Sequence, residues 1–169
     1  MKNQFNEKQQ FTQWWMWLLL GSLTLFSYYV CVEEVVYGRV VGNTGPSGNG
    51  AFVPPIIMTV ISVLFLLMKL ETRIDSTGIH VRFFPFHGKW RSFPWSSISA
   101  AQVRDYRPLI EYGGWGLRGI GSNRALNVSG NTGIQLTFKN GDKLLIGTQQ
   151  GSEAMAAIEK YYTSDEVVN

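Results

Sequence analysis

Two uncharged, almost wholly apolar runs, residues 14–32 and 52–68, constrain this chain more than anything else in it. At about 1.5 Å per residue a nineteen-residue helix spans roughly 28 Å, close to the ~30 Å hydrocarbon core of a bilayer. Backbone polar groups in hydrocarbon must be paired within their own segment. Each run is therefore expected to be one continuous helix, and the two together a transmembrane hairpin. Residues 33–51 are then the connecting loop, and their Gly42-Asn43-Thr44-Gly45-Pro46-Ser47-Gly48-Asn49-Gly50 stretch has the composition of flexible turns. From Lys69 onward charges, Gly and Asn interrupt the apolar residues every few positions, as in a water-soluble domain. The expected division is a tail at 1–13, the hairpin at 14–68, a domain at 69–162 and a short tail at 163–169.

The flanks of the runs give an orientation. Trp14, Trp15 and Trp17 open the first, and indole rings prefer the headgroup level. Pro54 and Pro55 open the second, where a first helical turn tolerates their missing N–H donors, and Lys69 closes it as a snorkelling anchor. Lys2 and Lys8 precede the first run, only Arg39 lies between the two, and Lys69, Arg73, Arg82, Lys89 and Arg91 follow the second. That asymmetry puts both termini in the cytoplasm and the connector outside. A secretory signal peptide fits poorly: the first run is longer than an h-region, no small-x-small cleavage site follows, and Glu33-Glu34 comes directly after it. Gly21, Ser22 and Ser27 in the first run and Thr59 and Ser62 in the second form a thin small-residue seam for helix packing.

Cys31 is the only cysteine, which excludes an intramolecular disulfide and a cysteine-based zinc site. His80 and His87, the only histidines, fall on one strand and its turn, where packing or solvation is the expected role rather than metal binding. No cofactor is expected.

The domain reads as β-rich. Ile79, Val81 and Phe83 alternate with His80, Arg82 and Phe84, and Phe86-His87-Gly88-Lys89 turns that strand back into Trp90-Arg91-Ser92-Phe93. Residues 98–106 and 125–128 make further strands. Ile134, Leu136 and Phe138 lead into Asn140-Gly141, a hairpin turn, and residues 143–146 return. After Gly147 the period changes. Ser152 is a candidate cap for a last helix in which Met155, Ile158, Tyr161 and Tyr162 share a face. The fold class expected is α+β: a membrane hairpin, then short antiparallel strands closed by one helix.

The hairpin followed by Thr72-Arg73-Ile74-Asp75-Ser76-Thr77-Gly78-Ile79 and Phe93-Pro94-Trp95-Ser96-Ser97-Ile98 resembles bacterial membrane proteins that carry a pleckstrin-homology-like (PH-like) domain. There an Ile-Asp-x-x-Gly-Ile opening strand and a Trp-x-x-Ile corner recur. With Phe5-Asn6-Glu7-Lys8-Gln9 and Glu111-Tyr112-Gly113-Gly114-Trp115-Gly116-Leu117-Arg118, nearly the whole chain is similar to a bacterial two-span family of that kind. The resemblance implies a PH-like antiparallel barrel or sandwich with a C-terminal capping helix, at the inner membrane. It implies no activity.

Gly114-Trp115-Gly116-Leu117-Arg118-Gly119 matches the Gly-x-Gly-x-x-Gly phosphate fingerprint, but both flanks are strand-like and no helix N-terminus follows to supply the dipole. Residues 107–124 read instead as a long glycine-rich excursion between strands. In a recognition loop, which carries Tyr112, Trp115, Arg118 and Arg124, Trp115 would insert or stack while Arg107 and Arg118 meet an anionic or carboxylate group. In a packing element, Trp115 would lie on the sheet and Glu111 would pair with an arginine. Both readings stand at this level.

Residues 69–160 hold twelve Lys and Arg against seven Asp and Glu, a formal charge of +5. A basic domain tethered beside an anionic leaflet is drawn to it, so membrane lipids are an expected partner. Nucleic acid is not, because no helix carries a basic stripe. The Asn127-Val128-Ser129 sequon has no use on a cytoplasmic face. No nucleophile with a base, carboxylate pair or metal-ligand set has motif spacing. The expected function is a non-catalytic membrane protein whose domain binds a protein, a lipid or its own copies. The alternative is an accessory or scaffold subunit of a membrane complex, and a hydrolase comes well behind both.

Overall fold

The computed structural model describes residues 4–41, 48–119 and 121–162. The centre of the expected outer loop, 42–47, and the expected tail at 163–169 lie outside the described residues. Two compact units form, residues 12–67 and residues 1–11 with 68–169.

The first unit is helical. The first helix, α1 (Trp14–Tyr37), runs five residues beyond the apolar run and carries Glu33 and Glu34. It stops at Gly38, whose left-handed backbone (φ 63°) lets its N–H bond the Glu33 carbonyl, a conformation glycine adopts without penalty. A 3-10 turn at Gly48–Phe52 leads into α2 (Val53–Leu67), with both prolines in its first turn. The two helices hold each other through hydroxyls: Thr24 Oγ1 and Ser62 Oγ are 3.2 Å apart, and Tyr28 Oη and Thr59 Oγ1 3.0 Å. Both threonines also donate to the carbonyl one turn back, Leu20 and Pro55, at 2.7 Å each. Of the small-residue seam, Thr59 and Ser62 take part, Ser27 is buried, and Gly21 and Ser22 face outward.

The second unit begins with a strand where a tail was expected. Strand β1 (Phe5–Gln10) pairs antiparallel with β2 (Lys69–Asp75), Phe5 opposite Ile74 and Gln10 opposite Lys69. A four-stranded antiparallel sheet follows in chain order with β3 (Gly78–Phe84) and β4 (Arg91–Pro94). A five-stranded sheet is built from β5 (Ile98–Asp105), β6 (Gly116–Arg118), β7 (Asn123–Asn127), β8 (Thr132–Phe138) and β9 (Lys143–Gly147), in the order β5-β8-β9-β7-β6. Its β7–β9 pair is parallel, so this sheet is mixed rather than wholly antiparallel.

Alternation supplies the core. Leu70, Ile74, Ile79, Val81 and Phe83 of the first sheet and Ile134, Leu136, Leu145 and Ile146 of the second are sealed from solvent. Phe93 and Phe138, ring centroids 5.2 Å apart, join the sheets at one end. The last helix, α4 (Gly151–Tyr161), packs on β1, β2, β5 and β8 and so spans both sheets. Its buried face is Ala154, Ala157 and Ile158; Met155, expected inside, is exposed. Ser152 does not cap it. The start of α4 is satisfied from β1: the buried Glu7 carboxylate accepts the Thr148 hydroxyl at 2.6 Å and the Gln149 N–H at 2.7 Å, and Thr148 Oγ1 takes the Gln150 N–H at 3.1 Å. Gln9, two residues on, donates to the Gly147 carbonyl at 2.7 Å.

Candidate functional site

The excursion between β5 and β7 folds into two short elements, α3 (Pro108–Tyr112) and β6, in place of an irregular loop. Proline opens α3, where its missing N–H is harmless. The Glu111 carboxylate braces it from both sides: one oxygen accepts the Arg107 backbone N–H and the other the Arg104 guanidinium, each at 2.8 Å. That bond from Arg104, with the backbone bond at Arg107, holds the Glu111 carboxyl below the usual carboxylate range. The same partner raises Arg104. The helix ends at Gly113, left-handed at φ 71°.

Beneath α3 lies a small second core. Tyr106 is buried with Ala125 and Leu145, and Tyr112 packs edge-on against it, centroids 6.1 Å apart. Asn127, fully buried, joins the excursion to the sheet: its side-chain amide donates to the Tyr106 hydroxyl at 2.9 Å and its carbonyl oxygen accepts the Gly116 N–H at 2.8 Å. Burial pushes the Tyr106 and Tyr112 phenols up.

Trp115 is half-buried, and its indole N–H donates to the Gly130 carbonyl at 3.1 Å. The Arg118 guanidinium folds back to bond the Trp115 carbonyl at 2.9 Å. Arg107 projects into solvent. Four of the five candidate residues, Arg107, Tyr112, Trp115 and Arg118, thus share the excursion, with Tyr112 and Trp115 as anchors of it. Arg124 does not join them. Its strand neighbour Ala125 packs under Tyr112, so Arg124 takes the other face of β7 and lines a cavity of about 450 Å³ with Phe93, Phe138 and Lys139.

The apolar side chains that α3 offers to solvent are Leu109 and Ile110, 67% and 75% exposed. The signal that could have found them is Pro108 followed by Gly113-Gly114, a start and stop for a one-turn helix that must expose one side.

A second set was also missed because strand register alone assembles it. His80 Nδ1 lies 2.8 Å from Ser92 Oγ, directly opposite on β4, and His80 Nε2 lies 3.3 Å from Asp75 Oδ1. The same Asp75 oxygen accepts the Thr77 N–H at 2.9 Å and hydroxyl at 2.6 Å. Burial pushes Asp75 up, and the bonds from Thr77 and His80 outweigh it, leaving the carboxyl below its ordinary value. An acid, an imidazole and a hydroxyl are in line, yet Ser92 lies in a regular ladder and Asp75 is the hub of the β2–β3 turn. The set acts as a clasp on this hairpin. Among the described residues no group of three or more His, Cys, Asp or Glu side chains is placed to hold a metal ion.

The sequence matches no protein-family model and no curated protein.

Proposed function

We propose that this chain is a membrane-anchored binding module, a PH-like domain carried at the inner face of a bacterial membrane by two spans, without a catalytic role of its own. The carrying observation is the pairing of β1 with β2. These strands flank the two apolar helices in sequence and bond to each other, so the chain that enters α1 and the chain that leaves α2 share one side of any bilayer the helices cross. α1 and the stretch Gly50–Leu67, which adds the end of the 3-10 turn to α2, are long and apolar enough to span, with only 17% and 11% of their most apolar segments buried. The lysines and arginines on both flanks favour the cytoplasm for that side. A four-stranded antiparallel sheet, a second sheet and a C-terminal helix support the PH-like reading. The parallel β7–β9 pair is a departure from it.

The recognition surface is α3. Leu109 and Ile110 project from a helix fixed by Glu111, Tyr112 and Trp115, with Arg107 beside them. A rigid apolar pair next to a cation suits a protein segment carrying apolar and acidic side chains. Labelling in intact cells tests the anchor. With Cys31 replaced by serine, Ser47→Cys is expected to react with an impermeant maleimide and Ser76→Cys to stay protected. The reverse pattern refutes the orientation.

A further inference from the structure

One end of the first sheet is tied to the helices by the chain itself. Lys69, the first residue of β2, follows α2 after the single residue Met68, and it pairs with Gln10 on one side and Phe84 on the other. Gln10 lies just before α1 in the chain. The turn that begins at Phe84 therefore occupies the sheet end at which both helix connections are made.

That turn is aromatic and basic. Phe84, Phe86 and Trp90 are exposed, Phe86 by 52%, and so are Lys89 and Arg91. No Asp or Glu occurs between Asp75 and Asp105. Its shape is fixed from below. Phe86 stacks on the buried Phe83 with centroids 5.8 Å apart, and the His87 N–H donates to the Phe83 carbonyl at 2.7 Å. Trp90 lies against the guanidinium groups of Arg73 and Arg82, at 5.6 and 5.1 Å from its ring. Water-soluble surfaces rarely gather exposed aromatic rings in one turn. Rings of this kind favour the headgroup level, and cations beside them favour anionic headgroups.

The geometry points to a membrane contact beyond the two spans: the β3–β4 turn sits in the headgroup layer of an anionic leaflet, Phe84 and Phe86 directed to the acyl boundary and Lys89 and Arg91 to lipid phosphates. The inference rests on the membrane-anchored reading. Because the turn is held rigid before contact, little conformational entropy is lost when it docks.

A nitroxide on Gly88→Cys, in the full chain with Cys31→Ser, tests it. A side chain at Gly88 meets nothing within 4 Å. The control is Ser76→Cys, on the turn at the opposite end of the same sheet. In nanodiscs containing phosphatidylglycerol, the label at 88 is expected to be more accessible to oxygen than to a water-soluble nickel chelate, and the label at 76 the reverse. Lys89→Glu with Arg91→Glu, or discs of phosphatidylcholine alone, should move the label at 88 toward the behaviour at 76. If the double variant unfolds, added salt must produce the same shift. A label at 88 as open to the chelate as that at 76 overturns the inference. So does a shielded label indifferent to lipid charge, charge reversal and salt. Retention of the chain in the discs reads the anchor separately, so the two failures are distinguishable.

Discussion

The Glu7 carboxylate and the Thr148 hydroxyl lie 2.6 Å apart although 141 positions separate them in the chain. With the Gln149 N–H on its other oxygen, Glu7 closes the approach to α4 from a strand that precedes α1. Removing it leaves the buried Thr148 hydroxyl and the part-buried Gln149 N–H without an acceptor. Glu7→Ala is expected to destabilise the domain by about 2–3 kcal/mol and Glu7→Gln by less, read by chemical denaturation in mild detergent. A fragment of residues 69–162 lacks β1 altogether. It should melt broadly and at low temperature, and a peptide of residues 1–11 joined by a flexible linker should restore a cooperative transition. Equal melting of the two fragments would show that β1 is dispensable.

Trp115 and Ile110 should separate support from recognition. Trp115 is half-buried and bonds Gly130, so Trp115→Ala should cost about 2–3 kcal/mol. Ile110 is three-quarters exposed, and Ile110→Asp should shift stability by under about 0.5 kcal/mol while abolishing co-purification of a partner. A partner retained by Ile110→Asp and Leu109→Asp together would remove α3 as the recognition surface.

Acid should loosen the domain as pH falls below 6.5. His87 is buried, and that burial, followed by the Arg91 and Arg124 charges, holds its imidazole below 6.5. The unfolded chain then takes up the proton first, so stability falls as pH drops through 6.5 toward the folded value. His87→Asn should flatten this dependence in melting curves taken between about pH 7.5 and 5. An unchanged slope would assign it to another group.

The Arg104–Glu111 pair should show a dependence at lower pH. Glu111 is held below 4.5 in the fold, so its contribution is complete above that value and is lost as pH falls through the depressed one. Both side chains are about a third exposed, and an exposed pair contributes about 0–1 kcal/mol. Glu111→Gln should therefore lower the melting temperature slightly near pH 7 and progressively less as pH falls below 4.5.

What the sequence made legible follows a physical divide. Residues 14–32 and 52–68 stand out as long runs without a charge, and Asn140-Gly141 stands out because few residues accept its turn. Strand β1 was hidden: its inward side, continued by the next residue of the chain, reads Phe5, Glu7, Gln9, Phe11, and its middle two are polar because they serve groups far away in sequence. Of the face expected for α4, Ile158 is buried and Met155 is exposed; Ala154 and Ala157 complete the buried face although they carry little hydropathy. At the candidate site the excursion lies between β5 and β7, with Arg124 already inside β7, and periodicity over five residues cannot announce a helix such as α3. Nor could sequence separate Arg124 from the other arginines, because which face of β7 it takes depends on how that strand pairs.

The place of β1 also sets an order of assembly. It precedes both helices in the chain and is an edge strand of the finished sheet, with no partner until β2 has followed both helices out. Until then its backbone donors and acceptors are open to unwanted pairing, and Phe5 and Phe11, not yet covered, invite it; Lys8 and the polar Asn6 and Gln10 on its outer side limit that hazard. On the membrane-anchored reading proposed above, a chain whose second helix failed to enter the bilayer would hold β1 and β2 on opposite sides, and the completed sheet would then mark a correctly inserted copy.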